Sequence, residues 1–499
     1  MNKITGVFIL FAFILFGCGE TESKIKLICD IDESKVYIDG KPKAVCYKNS
    51  TIEIDVTIGS HRIEVKKPIN EDTLYYYSKI IQLENKSIIT IKVKSKKAYS
   101  EAYYWNKLKR TNKLEDYIEY FNNYPYGKHV EKVKEKLKKA GYLLKAWDKT
   151  YGGEAWDGAQ SIIKTKDKNY LIVGSSVSYS KGSSDAWVFK IDKNGNKIWE
   201  KTFGGKYGDE ANSVIETEDG YLIAGSTSSF GDYDVWIIKI DKNGNKLWDK
   251  TFNIKDIDEP VSLLETEDGY IIAGNTQPYK GDNYDIWIMK IDKNGNKIWN
   301  KMYGGSDWDQ AGSIIKTKNG FIIAANTRSY GKGGNNIWII KIDKNGNKVW
   351  DKVIGDLGTQ ASYSIIEIID GYIIAGINNF YDNSWIDAWV IKIDKNGNKI
   401  WDKTFGGKNT DIPKSITKTE DGYIIAGYTD SYSNGKDDTW IVKTDKDGNK
   451  IWDKTLGGKS WDRAKSIIKT EDGYLVLGNT RSFGNGIYDA WIIKLEPIK

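Results

Sequence analysis

The chain has 499 residues, 40% apolar and 13% aromatic, with 74 basic against 68 acidic side chains and a formal charge of +6. That length predicts two to four folding units, and the interspersed charges lack the sustained basic stripe of a nucleic-acid binder. Only 7 prolines accompany 49 glycines, which places the glycines in turns rather than in a disordered linker.

The first eighteen residues predict the compartment. Lys3 gives a positive start, and Ile4 to Phe16 is an apolar run shorter than the ~20 residues of a spanning helix. The run ends in Leu15-Phe16-Gly17-Cys18, which resembles the bacterial lipobox. The resemblance implies a signal peptide over 1–17, acylation of Cys18, a tether over 18–24 and a membrane as partner through the lipid anchor. An ordinary cleaved signal with an incidental cysteine is the alternative. Gly19 rather than Asp follows the cysteine, which points to the outer membrane of the cell envelope. Cys29 and Cys46 fall in neighbouring predicted strands, and in an oxidising compartment either a disulfide or two buried thiols fits them.

Residues 25–97 alternate apolar and polar in short runs separated by turn signals such as Asp39-Gly40, and predict a small antiparallel sandwich. The runs Val36-Tyr37-Ile38-Asp39-Gly40-Lys41 and Ile58-Gly59-Ser60-His61-Arg62-Ile63, with the closing Ile88-Ile89-Thr90-Ile91, resemble a PEGA domain, an accessory β module of surface proteins. His61 reads as a solvated turn residue. Over 98–146 the period becomes helical, with Thr111 as a candidate N-cap of a second helix and Gly141 as a stop. Its Phe-x-x-Tyr-Pro-x-Gly step resembles a tetratricopeptide-like helix pair.

From Trp147 onward the chain repeats itself. Trp147, Trp199, Trp248, Trp299, Trp350, Trp401 and Trp452 each open a unit near Trp-Asp-Lys-Thr-Phe-Gly-Gly, 49 to 52 residues apart. Each unit holds four short strands, and its Asn-Gly step is a strong hairpin signal. The fold class predicted is therefore mainly β: a seven-bladed β-propeller of four-stranded blades over 147–499, preceded by a small β-sandwich and a short helical segment. The repeats end on a third strand and begin on a fourth, so these two orphans should pair and close blade seven. The units resemble Trp- and Gly-rich propeller repeats of exported bacterial proteins and, loosely, quinoprotein repeats. The second resemblance implies fold rather than cofactor, and no cofactor is expected.

Residues 147–499 hold no His and no Cys, which excludes Ser-His-Asp and Cys-His chemistry and His-bound metals there. Two carboxylate sets recur. One runs Asp157, Asp209, Asp258, Asp309, Asp411 and Asp462, before the first strand of a blade; the other begins at Asp185 and precedes the third strand, with Asn336 as an exception. A per-blade loop role is expected for them, with a Ca²⁺ ring on the axis as the alternative. No metal ligand is assigned.

Four tryptophans fall outside the repeated strands: Trp156, Trp308, Trp385 and Trp461. They lie in loops between fourth and first strands or between second and third strands, which share one face of a propeller. Arg328, Arg463 and Arg481, the only propeller arginines, belong to that face too. These seven residues are the candidate ligand contacts, on a face whose loops vary while the opposite turns repeat. The expected function is a lipid-anchored, non-enzymatic binding or scaffold protein that holds a protein or glycan. The alternative is a carboxylate-based glycan hydrolase or lyase, or a quinoprotein-like enzyme.

Overall fold

Each repeat folds into one antiparallel sheet because its apolar runs are the length of a strand and its Gly-containing steps turn tightly between them. A computed structural model of the chain describes residues 10–13, 22–29, 34–57, 59–68, 73–83, 88–93, 96–255, 257–277, 283–379 and 385–498. Cys18 lies outside the described residues. Blade one runs through strands a (Asp157–Lys164), b (Tyr170–Ser176), c (Asp185–Ile191) and d (Lys197–Phe203), paired in that order. Seven such four-stranded sheets form a β-propeller. Strand a of each blade packs on strand a of the next, and blade seven on blade one, so these strands surround the axis.

Blade seven is closed by the predicted pairing. Leu143–Tyr151 serves as its strand d and runs antiparallel to strand c, Asp489–Pro497, with Trp147 opposite Lys494. The strand begins at Leu143, ahead of the Trp147 expected from the repeat.

The repeated residues hold the blades together. The strand-c tryptophans are at most 4% exposed, and in six blades the indole N–H donates to an acid on strand d at 2.9–3.0 Å. One of these bonds, Trp491 to Asp148, joins the last strand to the first. In six blades the strand-c lysine reaches the acid of the a–b turn, as in Lys190 to Asp167 at 2.6 Å, and so neutralises a buried charge. The half-buried Trp147 packs on Gly195 of the next blade's c–d turn. That glycine has φ +76°, and a Cβ on it would come within 2.9 Å of the ring, so only glycine fits.

The residues before Leu143 form a separate unit. One sheet orders Leu10–Phe13, Ile88–Lys92, Glu22–Ile28 and Thr51–Thr57; the other orders Lys41–Cys46, Ser34–Ile38, Gly59–Pro68, Thr73–Leu83 and Lys96–Tyr99. Leu10–Phe13, within the stretch read as a leader, pairs only at the edge of this sheet, so the other three strands pair with one another without it. Ile25, Leu27, Val36, Ile63 and Val65 fill the core, and a disulfide joins Cys29 to Cys46. Three helices follow among the described residues: Glu101–Thr111, Leu114–Asn123 and Val130–Lys139. Thr111 does not cap the second. It ends the first, where its hydroxyl donates to the Lys107 carbonyl and to Asp116, and Lys113 takes the cap position. His61 is a strand residue rather than a solvated turn: its ring Nδ1 sits 2.7 Å from an Asp39 carboxylate oxygen.

Candidate ligand site on the propeller

Most acids of the propeller have structural partners. Asp209 is 1% exposed and accepts from the Gly205 N–H at 2.9 Å, the Ser229 hydroxyl at 2.6 Å and the Thr227 hydroxyl. Asp157, Asp309, Asp411 and Asp462 are held in the same way. Asp258 takes the N–H groups of Ile254 and Lys255. The set therefore shapes the d–a loops from within.

The second set lies against the first across each blade junction. A Cβ on Gly204 would come within 2.4 Å of Asp185 Oδ1 and 2.8 Å of Asp209 Oδ2, so both carboxyl groups face that glycine. Among the described residues, Oδ1 of Asp185, Asp387, Asp438 and Asp489 is buried without a hydrogen-bond partner. Burial raises the pKa of all four, and the carboxylate across the junction adds to the rise. These acids are repeated and enclosed, which suits packing rather than catalysis.

The non-repeating aromatics behave differently. Trp461 is half-buried, with the Lys436 ammonium 3.9 Å and the Arg481 guanidinium 4.5 Å from its ring centre. Arg481 also lies 5.5 Å from the ring of Tyr488, and Tyr488 stacks on Trp156 at 5.5 Å and 10°. Arg463 stands 4.8 Å from the Tyr428 ring and 5.8 Å from Trp461, and it is ion-paired with Asp437. Four of the predicted residues, Trp156, Trp461, Arg463 and Arg481, thus share one cluster across blades six, seven and one. Trp308 and Arg328 form a separate pair at 5.5 Å with Tyr284 beside them. Trp385 is 45% exposed in the b–c loop of blade five, apart from both groups.

Sequence reasoning missed Tyr488, Tyr428 and Lys436, and it also missed Glu210 and Glu259. Glu210 and Glu259 each follow the repeated aspartate of strand a, in blades two and three. The Tyr233 hydroxyl donates to Glu210, and burial followed by the Glu210 charge raises the pKa of Glu259. Glu259 lines an open pocket of about 510 Å³ with Tyr233 and Ile257, and Glu210 meets that pocket through the Tyr233 hydroxyl. The signal was available in the sequence: these acids occupy strand-a positions that do not repeat.

No protein-family model and no curated protein matches the chain. Among solved structures it is similar to the β-propeller domain of the Trilobed protease from Pyrococcus furiosus, at 10% identity over 70% of this chain and 97% of that one, with a TM-score of 0.43. Sqt1 from Chaetomium thermophilum matches at 12% identity over 68% of this chain and 82% of that one, with a TM-score of 0.42. The acylaminoacyl peptidase of Pyrococcus horikoshii matches at 9% identity over 69% of this chain, with a TM-score of 0.41; the match spans 52% of the peptidase. At this level of likeness nothing of their activities transfers to the present chain.

Proposed function

We propose that the chain is a cell-envelope lipoprotein, anchored through Cys18 with a PEGA-like module next to the anchor, whose propeller binds a protein or glycan on its d–a/b–c loop face. The observation that carries this reading is the aromatic and cationic cluster of Trp461, Arg481, Tyr488 and Trp156. Clusters of Trp, Tyr and Arg dominate binding hot spots, because each supplies a large contact area with a polar handle. Lys436 and Arg481 both lie over the Trp461 ring. The surface offered is therefore cationic, which favours an acidic face on the partner.

A glycan array and an envelope pull-down with the mature full chain test this reading. Trp461→Ala and Arg481→Ala should each weaken capture of the recovered partner by ~2 kcal/mol with the fold intact. Unchanged capture by both variants would remove the cluster from the binding face. The rival carboxylate-based hydrolase or lyase has its support in Glu210 and Glu259, two acids beside a cavity with one raised pKa. Glycan cleavage by the wild type and its loss in Glu259→Gln would decide for the rival.

A further inference from the structure

Strand a repeats closely at its first and fifth residues. An acid leads in six blades and Gln360 in the other, and serine stands fifth in all seven, from Ser161 to Ser466. The second and fourth residues, set between those fixed points and beside the bulge, vary from blade to blade. They are released from the work the blades share, and they surround the axis.

Their charges are sorted. Blades two and three supply Glu210 and Glu259; blades six and seven supply Lys414, Lys465 and Arg463. In a ring of seven, blade six stands opposite the boundary of blades two and three, so the channel has an acidic and a basic wall. The Lys414 ammonium lies 3.6 Å from the ring centre of Tyr363, the fourth residue of the neighbouring strand a. Arg463 is paired with Asp437. Among the described residues, neither Lys414 nor Lys465 has a hydrogen bond or a carboxylate within salt-bridge reach.

We infer that the basic wall of the channel is an oxyanion site, where Lys414 and Lys465, with Arg463 beside them, take a phosphate or carboxylate group of a small ligand. Burial, then the charges of Lys465 and Arg463, bring the Lys414 pKa down to about 7. An oxyanion supplies the countercharge that Lys414 and Lys465 lack, and its oxygens accept their unused N–H donors. The acidic wall repels a second anion and so fixes which way a charged ligand lies. The site lies in the channel and stands whether or not Trp461 and Arg481 hold a partner.

Calorimetric titration of the mature full chain with inorganic phosphate, and separately with acetate, at constant ionic strength against chloride tests the site. Saturable binding of either anion at one equivalent is expected, and the tighter of the two identifies the head group. Lys414→Met and Lys465→Met should each weaken binding by about tenfold or more, while Lys206→Met, on an exposed loop, leaves it unchanged. Lys414→Gln replaces the first variant if its melting temperature in chloride shows a damaged propeller. Absence of saturable binding of both anions, or equal binding by wild type and both channel variants, would overturn the inference.

Discussion

Two blade junctions of this propeller solve the same packing problem with different chemistry. Between blades one and two, Asp185 faces Asp209. Between blades four and five the equivalent residues are Asn336 and Gln360, both amides. In each case one side-chain oxygen of the first residue accepts a loop N–H, from Lys181 at 3.1 Å or from Lys332 at 3.2 Å. The other terminal atom differs. Asn336 Nδ2 donates towards the carbonyls of Asp356 and Gly334, at 3.2 and 3.4 Å, and towards Gln360 Oε1 at 3.3 Å. Asp185 Oδ1 occupies that place with no partner. The amide junction shows that the site calls for a donor, and an aspartate can supply one only as the carboxylic acid. The raised pKa of Asp185 has the same cause: burial first, with the Asp209 charge added.

The two residues of a pair therefore differ in role. Asp209 accepts from three donors, whereas Asp185 has one oxygen without a partner and a pKa that burial raises. The largest expected effect comes from removing the acceptor, Asp209. Asp209→Ala leaves the Gly205 N–H and the hydroxyls of Ser229 and Thr227 without their acceptor, at a cost of about 3 kcal/mol or more. Gln360→Ala, in the junction without a buried charge, should cost clearly less. Urea denaturation of the propeller checks both. Equal losses would mean that the two junctions do not differ in the way the hydrogen bonds indicate.

An intermediate effect is expected at Asp185, with a definite sign. Its folded pKa lies above its unfolded value of about 3.8, so its stabilising proton is fully present below that value and is lost as pH rises through the folded pKa. The a–b turn acids, such as Asp219, move the other way because their lysine partners lower them, so the pH curve of the wild type alone mixes both signs. Asp185→Asn isolates the junction. Its melting temperature should match the wild type near pH 4 and exceed it increasingly above that, by the equivalent of roughly 1–2 kcal/mol at neutral pH. A variant that is less stable at every pH would show that Asp185 works as an anion. Loss of the gain in calcium, with its return in a chelator, would assign the vacant donor position to a cation instead.

The blades, their number and the strand that closes the ring were legible because a repeat near fifty residues carries its own alignment. The loop tryptophans were legible by subtraction from that repeat. The partnership of Asp185 with Asp209 was not, since each belongs to a different blade and the sequence shows only two parallel sets of acids. Asn336 stood out in one set, but its meaning depended on Gln360 filling the same junction. Lys414 and Lys465 were hidden among many exposed lysines. What separates them is their place at a non-repeating position of strand a, a signal that shows only once the repeats are aligned. Tyr488, which joins Trp156 to Arg481, belongs to the loop ahead of strand c and gave no periodic signal.

The smallest effect lies in the junction of blades two and three, where the chain carries a third solution. Asn253 stands where the six other junctions have the facing glycine, and its Nδ2 donates to Asp234 Oδ1 at 2.8 Å. Here the donor comes from the neighbour, so Asp234 need not supply one. Asn253→Gly removes that donor and should cost about 1 kcal/mol, modest because Asn253 is itself exposed. Asp234→Asn should compensate, since its own amide can then donate as Asn336 does. A double-mutant cycle measured by denaturation therefore predicts that Asn253→Gly is harmful beside Asp234 and nearly silent beside Asn. If the cost of Asn253→Gly is the same in both backgrounds, the loss reflects loop entropy at the new glycine. The need for a donor, which links the three kinds of junction, would then be refuted where the acid has the most help.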